Sequence, residues 1–282
     1  MWTKENRARY DRSQQRYPSD LTAEEWGLVE PLISPAKRGG GKRRVDMRDV
    51  VNGIMYILST GCQWRYLPKD LPSKSTVFRY FDLWNYDGTL LRLHHELYAL
   101  CREQVGRAAS PTVAIIDSQS VKSAEPFDGL RRGARIDPHG YDAGKKIKGK
   151  KRHIAVDTLG LNLAAVVHPA DIQDRDGGPL VLKELRPLFP FITKIIADGG
   201  YQGPKMAAAV AAISREWEIE IVKRPELRKF VVLPKRWIVE RTFAWLNRCR
   251  RLAKDFENLT RNALAFLRLA SIRLMLRKLC NP

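Results

Sequence analysis

The chain has 282 residues, 44% apolar and 9% aromatic, enough to bury a proper core, which excludes an intrinsically disordered chain. Its 50 Lys and Arg against 31 Asp and Glu leave a net charge of +19, a surplus that favours a polyanionic partner and says little about fold. Cys62, Cys101, Cys249 and Cys280 form no close pair, so they suggest neither a disulfide framework nor a zinc site and fit a reducing cytoplasm.

Residues 1–19 are charged and polar, carry no apolar signal segment, and are expected to be loosely ordered. Thr22 with Glu25 three residues on reads as a capping box that starts a short helix to about Ile33. Residues 35–44 form a basic, Gly-rich linker. Asp46 then caps a helix with Val50, Ile54, Ile57 and Leu58 on one stripe, ended near Gly61. After a Pro-containing loop, Ser73 or Ser75 caps a third helix whose Val77, Phe81 and Trp84 point inward, and a fourth spans about 89–105. On the polar side of the third helix, Lys74, Ser75, Thr76, Arg79 and Tyr80 are placed as base-reading side chains of a helix-turn-helix-like element would be. Residues 1–105 are thus expected to form a helical DNA-binding domain.

The character changes at Ser110-Pro111. A strand over 113–118 precedes a Gly- and charge-rich loop to about 149, and His153 to Val156 pairs with Leu161 to Val167 as a hairpin. There follow a helix over about 174–188, a strand over 193–198, a helix over about 203–215, a strand over 219–223, and helices over about 235–254 and 260–279. This order predicts a mixed sheet flanked by helices over 111–282, hence a mixed α+β chain. The last helix is apolar but interrupted by Arg268, Arg273, Arg277 and Lys278, so it reads as amphipathic and no membrane role is expected.

Asp117 closes the apolar run from Val113, and Asp198 closes Ile195-Ile196-Ala197 ahead of Gly199-Gly200. Neighbouring strands run about 4.8 Å apart, so two such carboxylates can stand side by side. Glu240, on a helix with Arg236 four residues before it, would complete a set of hard oxygen ligands suited to Mg²⁺. A lone strand-end Asp is usually a turn former, and a lone helical Glu a solvated one; the combination in a basic chain points to phosphoryl transfer on nucleic acid. Among rival carboxylates, Asp157 belongs to the hairpin turn and Asp174 reads as a helix N-cap. His139 and His153 lack metal-ligand spacing and are expected at the surface. The basic run Lys145, Lys146, Lys148, Lys150, Lys151 and Arg152 is expected to track DNA backbone.

Ile115-Ile116-Asp117-Ser118, Gly140-Tyr141-Asp142-Ala143-Gly144-Lys145-Lys146, Asp174-Arg175-Asp176-Gly177, Ala197-Asp198-Gly199-Gly200-Tyr201 and Arg236-Trp237-Ile238-Val239-Glu240-Arg241 occur here in one order, followed by Phe243 to Leu252. In these pieces the chain resembles bacterial insertion-sequence transposases of the DDE type, family five, over nearly its whole length. The resemblance implies a ribonuclease-H-like catalytic domain over 111–282 with Asp117, Asp198 and Glu240 as the catalytic, metal-binding trio. They lie 81 and 42 residues apart, leaving no room for a large insertion domain before the glutamate.

It also implies two Mg²⁺, with Mn²⁺ as a substitute, the carboxylates staying ionised beside them. The N-terminal helices would bind double-stranded DNA at the element's terminal inverted repeats, and a homodimer would hold two ends and the target DNA, in a bacterial cytoplasm at the nucleoid. Arg236 would grip a phosphate, and Arg241 is a further DNA-binding position. Relatives carry a Tyr and a Lys where Leu233 and Asn247 stand here. Asn247 projects about 20° from Glu240 around a helix, and Arg248 and Arg251 are the alternatives for the missing cation. A nuclease that cuts without joining, and an inactive DNA-binding regulator, are the competing readings.

Overall fold

Capping chemistry starts the helices where the sequence places them. In the computed structural model, which describes residues 10–35, 42–124, 136–222 and 236–281, Thr22 and Glu25 cap each other reciprocally at the start of α1 (Ala23–Val29). Asp46 accepts from the Arg48 amide to start α2 (Met47–Thr60), and Gly61, in the left-handed region at φ 69°, ends it. Ser73 caps α3 (Lys74–Tyr86), whose Val77, Phe81 and Trp84 are buried as expected, and α4 (Thr89–Glu103) follows. Residues 10–19, expected to be loose, are pinned by charge: Arg12 pairs with Glu25, and Arg16 Nη2 lies 2.7 Å from Asp49. Leu233 and most of the basic linker lie outside the described residues.

The sheet is six-stranded. Strand β1 (Val113–Lys122) pairs antiparallel with β3 (Ile147–Val156), which pairs antiparallel with β4 (Asn162–Pro169) and with the short β2 (Gly140–Asp142). On its other side β1 runs parallel to β5 (Lys194–Asp198), and β5 to β6 (Glu218–Val222). The crossovers are α5 (Asp174–Leu188) and α6 (Pro204–Ile213). The main strands thus stand in the order β4-β3-β1-β5-β6 with the first three antiparallel, the ribonuclease-H-like arrangement that the resemblance implied. Strands β1 and β3 run longer than hydrophobicity predicts, because Ser118–Lys122 pairs with Gly149–His153 through polar residues of both strands.

Two elements depart from expectation. Helix α7 (Trp237–Leu246) ends at its Asn247 cap, and Arg250–Leu252 forms a separate 3₁₀ turn whose Leu252 carbonyl accepts from the buried Arg152 guanidinium at 2.8 Å. The 20° projection from Glu240 to Asn247 therefore runs off the end of the helix. Helix α8 (Thr260–Cys280) is a core element rather than an amphipathic one: Ala265, Phe266, Leu267, Leu269, Ala270, Ser271 and Ile272 are all buried, covering most of its circumference. It packs on α1 to α4, on α7 and on β4, and Phe266 stacks on Phe81 at 4.8 Å. One hydrophobic core therefore spans the N-terminal helices and the sheet.

A buried carboxylate joins the same two parts. Asp157, in the β3–β4 turn, accepts from the Leu159 and Leu161 amides, from the Tyr98 hydroxyl and, at 2.6 Å, from Arg102 of α4. Both ionic side chains are nearly inaccessible, at 8% and 0% exposure, so removing one strands the other charge in a low dielectric. Asp157→Ala is therefore expected to cost about 3–5 kcal/mol. A drop in the urea midpoint at unchanged slope would report it; a change below about 1 kcal/mol would show the pair contributes little.

Candidate active site

Strand pairing sets the first two carboxylates. Ile115 pairs with Ile196 across the parallel β1–β5 ladder, so Asp117 and Asp198, each two residues on, leave the sheet at the same level. Asp198 Oδ1 accepts from the Gly200 amide at 2.8 Å and starts the 3₁₀ turn Gly199–Tyr201, where β5 stops. Gly200 fits tightly: a Cβ there would stand 3.0 Å from Asp198 Oδ1 and 3.6 Å from Asp174 Oδ2. Asp117 Oδ1 accepts from the Ser118 amide at 2.7 Å.

Helix α7 brings the third. Arg236, at its N-cap, places Nη2 3.2 Å from Asp198 Oδ2 and 3.5 Å from Glu240 Oε1, and its charge also reaches Asp117. Glu240 itself is more than half exposed at 55%. Helix α7 is seated by the β3–β4 turn: Thr242 Oγ1 donates to the Gly160 carbonyl at 2.8 Å and Arg241 Nη2 to that of Leu159 at 3.2 Å. Gly160 is required here, with φ 82° and the space for a Cβ taken by Thr242 Oγ1 at 2.9 Å.

Burial raises the Asp117 pKa from 3.8 to about 6; the neighbouring Asp198 charge adds to this, against the Ser118 amide, Arg236 and Lys145. The carboxylate is therefore not held firmly ionised by the protein's own groups. Tyr201, buried against the His153 ring, forms the dry wall behind it, its phenol pushed up by burial and then by Asp117, Asp174 and Asp198. As arranged, no three acidic, His or Cys side chains among the described residues share one ion position. The donor set nevertheless suits a hard divalent cation: carboxylates alone, two of them shared by the Arg236 guanidinium and the third within reach of its charge.

The motif around Asp142 holds a second charge at the site. Asp142 accepts from Ser120 Oγ at 2.6 Å and from the Lys145 amide at 3.0 Å, closing a turn in which Lys146 takes φ 54°. Lys145 Nζ is thereby brought to Ser118, 3.2 Å from the carbonyl and 3.1 Å from Oγ. Sequence reasoning placed Lys145 in a basic run but not beside Asp117, because the turn that aims it depends on Ser120 of another strand. Asp174 is no N-cap: Gln173 takes that position, and Asp174 Oδ1 binds Ser118 Oγ at 2.8 Å and Lys151 Nζ at 2.9 Å.

Half of the basic run is withdrawn from the surface. Lys145, Lys146 and Lys148 are exposed. Lys150 is fully buried, 3.2 Å from Asp255, Lys151 is buried between Asp142 and Asp174, and the buried Arg152 binds a carbonyl. These three are drawn into the core because both faces of β3 are covered, so consecutive residues are buried whichever face they take. His153 is likewise buried, its Nδ1 2.8 Å from His168 Nε2, and burial lowers its pKa to about 3, so it is neutral; His139 is half-buried.

Arg251 is buried, bound to Glu257 at 2.6 Å and to the Cys62 carbonyl at 3.0 Å, and Arg241 lies between the Trp237 and Trp245 rings, 4.4 Å from each. Arg248 remains exposed. On α3, Lys74, Ser75 and Arg79 are exposed, and Thr76 and Tyr80 half-buried.

Residues 108–275 match the family described as transposase DDE domain, and residues 21–94 match that described as putative transposase of IS4/5 family. An uncharacterized 16.2 kDa protein of insertion element IS402 from Burkholderia cepacia is 33% identical over 106 residues, 35% of this chain and 69% of that protein. The putative transposase for insertion sequence element IS402 from the same organism is 33% identical over 135 residues, 43% of this chain; the chain spans 60% of that relative's length. Among solved structures, the Mos1 transposase paired-end complex with left transposon end aligns over 87% of this chain and 80% of its own. That match has 10% identity and a TM-score of 0.26.

The Asp117 shift has a measurable sign. A carboxyl with a folded pKa of about 6 against 3.8 binds more protons folded than unfolded, so its contribution is best below pH 4 and is lost as pH rises through 6. Asp117→Asn should therefore stabilise the metal-free protein by about 2 kcal/mol at pH 7.5 and by little at pH 4. Urea unfolding at the two pH values measures this, and equal effects at both would show that the carboxyl is not desolvated.

Proposed function

Since the chain belongs to the DDE-domain transposase family, we propose that it binds terminal inverted repeats and catalyses metal-dependent DNA strand cleavage and strand transfer. What supports this most is that Asp117 and Asp198 stand side by side on adjacent parallel strands while Arg236 pairs with both Asp198 and Glu240 and its charge reaches Asp117. These three carboxylates would hold two Mg²⁺, or Mn²⁺ in its place. Bound there, the ions supply Lewis-acid activation of a water or a DNA 3′-hydroxyl and stabilise the leaving oxygen.

The protein's own groups do the remaining work. Asp117 gives up the proton that its dry surroundings favour and accepts a cation instead. Lys145, held at Ser118 beside Asp117, offers its ammonium to the phosphate under attack. Lys146 and Lys148 would extend that grip along the backbone, and Arg248, exposed just past α7, would replace the cation missing at Asn247. Lys74, Ser75, Thr76 and Arg79 on the outer face of α3 would read the inverted repeat. Joining two ends requires two such sites, hence a homodimer on DNA. The burial of Lys150, Lys151, Arg152 and Arg251 removes them from the DNA-binding set.

Asp117→Asn and Asp198→Asn are each expected to lower joining of pre-cleaved ends by about a hundredfold or more, the scale of losing one electrostatic stabiliser. Near-normal joining by either would end the assignment. Cleavage without any joining of supplied 3′-hydroxyl ends would favour a plain nuclease. Replacing Lys145, Lys146 and Lys148 together by Ala should flatten the log–log salt dependence of DNA binding by about 2–3, at roughly 0.9 per phosphate contact. Lys150→Ala should instead lower stability and leave that slope unchanged.

A further inference from the structure

Arg236 is poorly used as an ion-pair residue. One nitrogen, Nη2, is shared between Asp198 at 3.2 Å and Glu240 at 3.5 Å, while Nε is buried with no partner among the described residues. A guanidinium in a settled pair presents two parallel N–H groups to one carboxylate. Here it is instead divided between two, and it also faces Asp117. Its side chain is 11% exposed, so it is held at the site rather than waving above it.

We propose that the Arg236 guanidinium occupies the cation position in the DNA-free protein and leaves it for a DNA phosphate, so that metal loading is coupled to DNA binding. This rests on the reading of Asp117, Asp198 and Glu240 as the metal-binding trio. Like charges disfavour each other at such range, so a divalent ion and the guanidinium compete for the same carboxylates. A phosphate offers Arg236 the two-oxygen fork that neither carboxylate now supplies, and its unused Nε–H a partner. DNA thereby releases the carboxylates, and empty enzyme is kept from loading metal before its substrate arrives.

The test is Mn²⁺ binding without DNA, read by electron paramagnetic resonance on wild type, Arg236→Gln and Arg236→Lys, each checked for folding by thermal melt. Removing the charge in Arg236→Gln should tighten Mn²⁺ by roughly tenfold, and Arg236→Lys, which keeps it, should stay near wild type. Adding duplex DNA should tighten Mn²⁺ on wild type and add little on Arg236→Gln. Unchanged or weaker Mn²⁺ binding by Arg236→Gln would overturn the proposal while leaving the trio intact, provided Asp117→Asn and Asp198→Asn lose the metal. If those two bind Mn²⁺ as wild type does, the trio itself is wrong and the proposal falls with it.

Discussion

Two carboxylates of like charge leave adjacent parallel strands at the same level, and everything at the site answers to that repulsion. The β1–β5 register fixes it: neither Asp117 nor Asp198 can move away without breaking a ladder in the middle of the sheet. The structure relieves the conflict in two ways. Asp117 is pushed toward its protonated form, chiefly by burial and secondarily by the Asp198 charge, and Arg236 is drawn in to neutralise Asp198. A site that must borrow a proton and an arginine to stay quiet is one that a divalent cation would suit better.

The positive charge of the chain divides into two kinds with opposite physical roles. Lys150, Lys151, Arg152 and Arg251 are buried among Asp255, Asp142, Asp174, Glu257 and backbone carbonyls, where each cation is matched by named acceptors. Lys150, Arg152 and Arg251 tie the segment after α7 to β3 and to the end of α2, and Lys151 ties β3 to Asp142 and to the start of α5. Lys145, Lys146, Lys148 and Arg248 stay outside. Because these buried cations are withdrawn together with carboxylates, the net charge of +19 stays with the groups outside, though fewer individual Lys and Arg are free to meet a polyanion.

Helix α8 and the Asp157 turn make the N-terminal helices and the sheet mechanically one body. Phe266 stacks on Phe81 at one end, and Arg102 reaches Asp157 at the other. That same turn seats α7 through Thr242 and Arg241. The helix carrying Glu240 thus rests on a loop whose rigidity is supplied by α4, a helix of the N-terminal segment.

Local chemistry was legible in the residues themselves. Thr22, Asp46 and Ser73 cap helices, Val77, Phe81 and Trp84 face inward, and Asp198 ends a strand, because capping, periodicity and strand termination each depend on a few neighbouring residues; Asp117, read the same way, instead lies within β1. What lay beyond the sequence was every property set by residues far apart in the chain. The extension of β1 and β3 through polar residues, the burial of Lys150, the stop of α7 at Leu246 and the meeting of Lys145 with Ser118 each require a partner from another element. A basic run and a buried ion-pair network look identical as letters; only folding, by removing water from both faces of β3, decides between them.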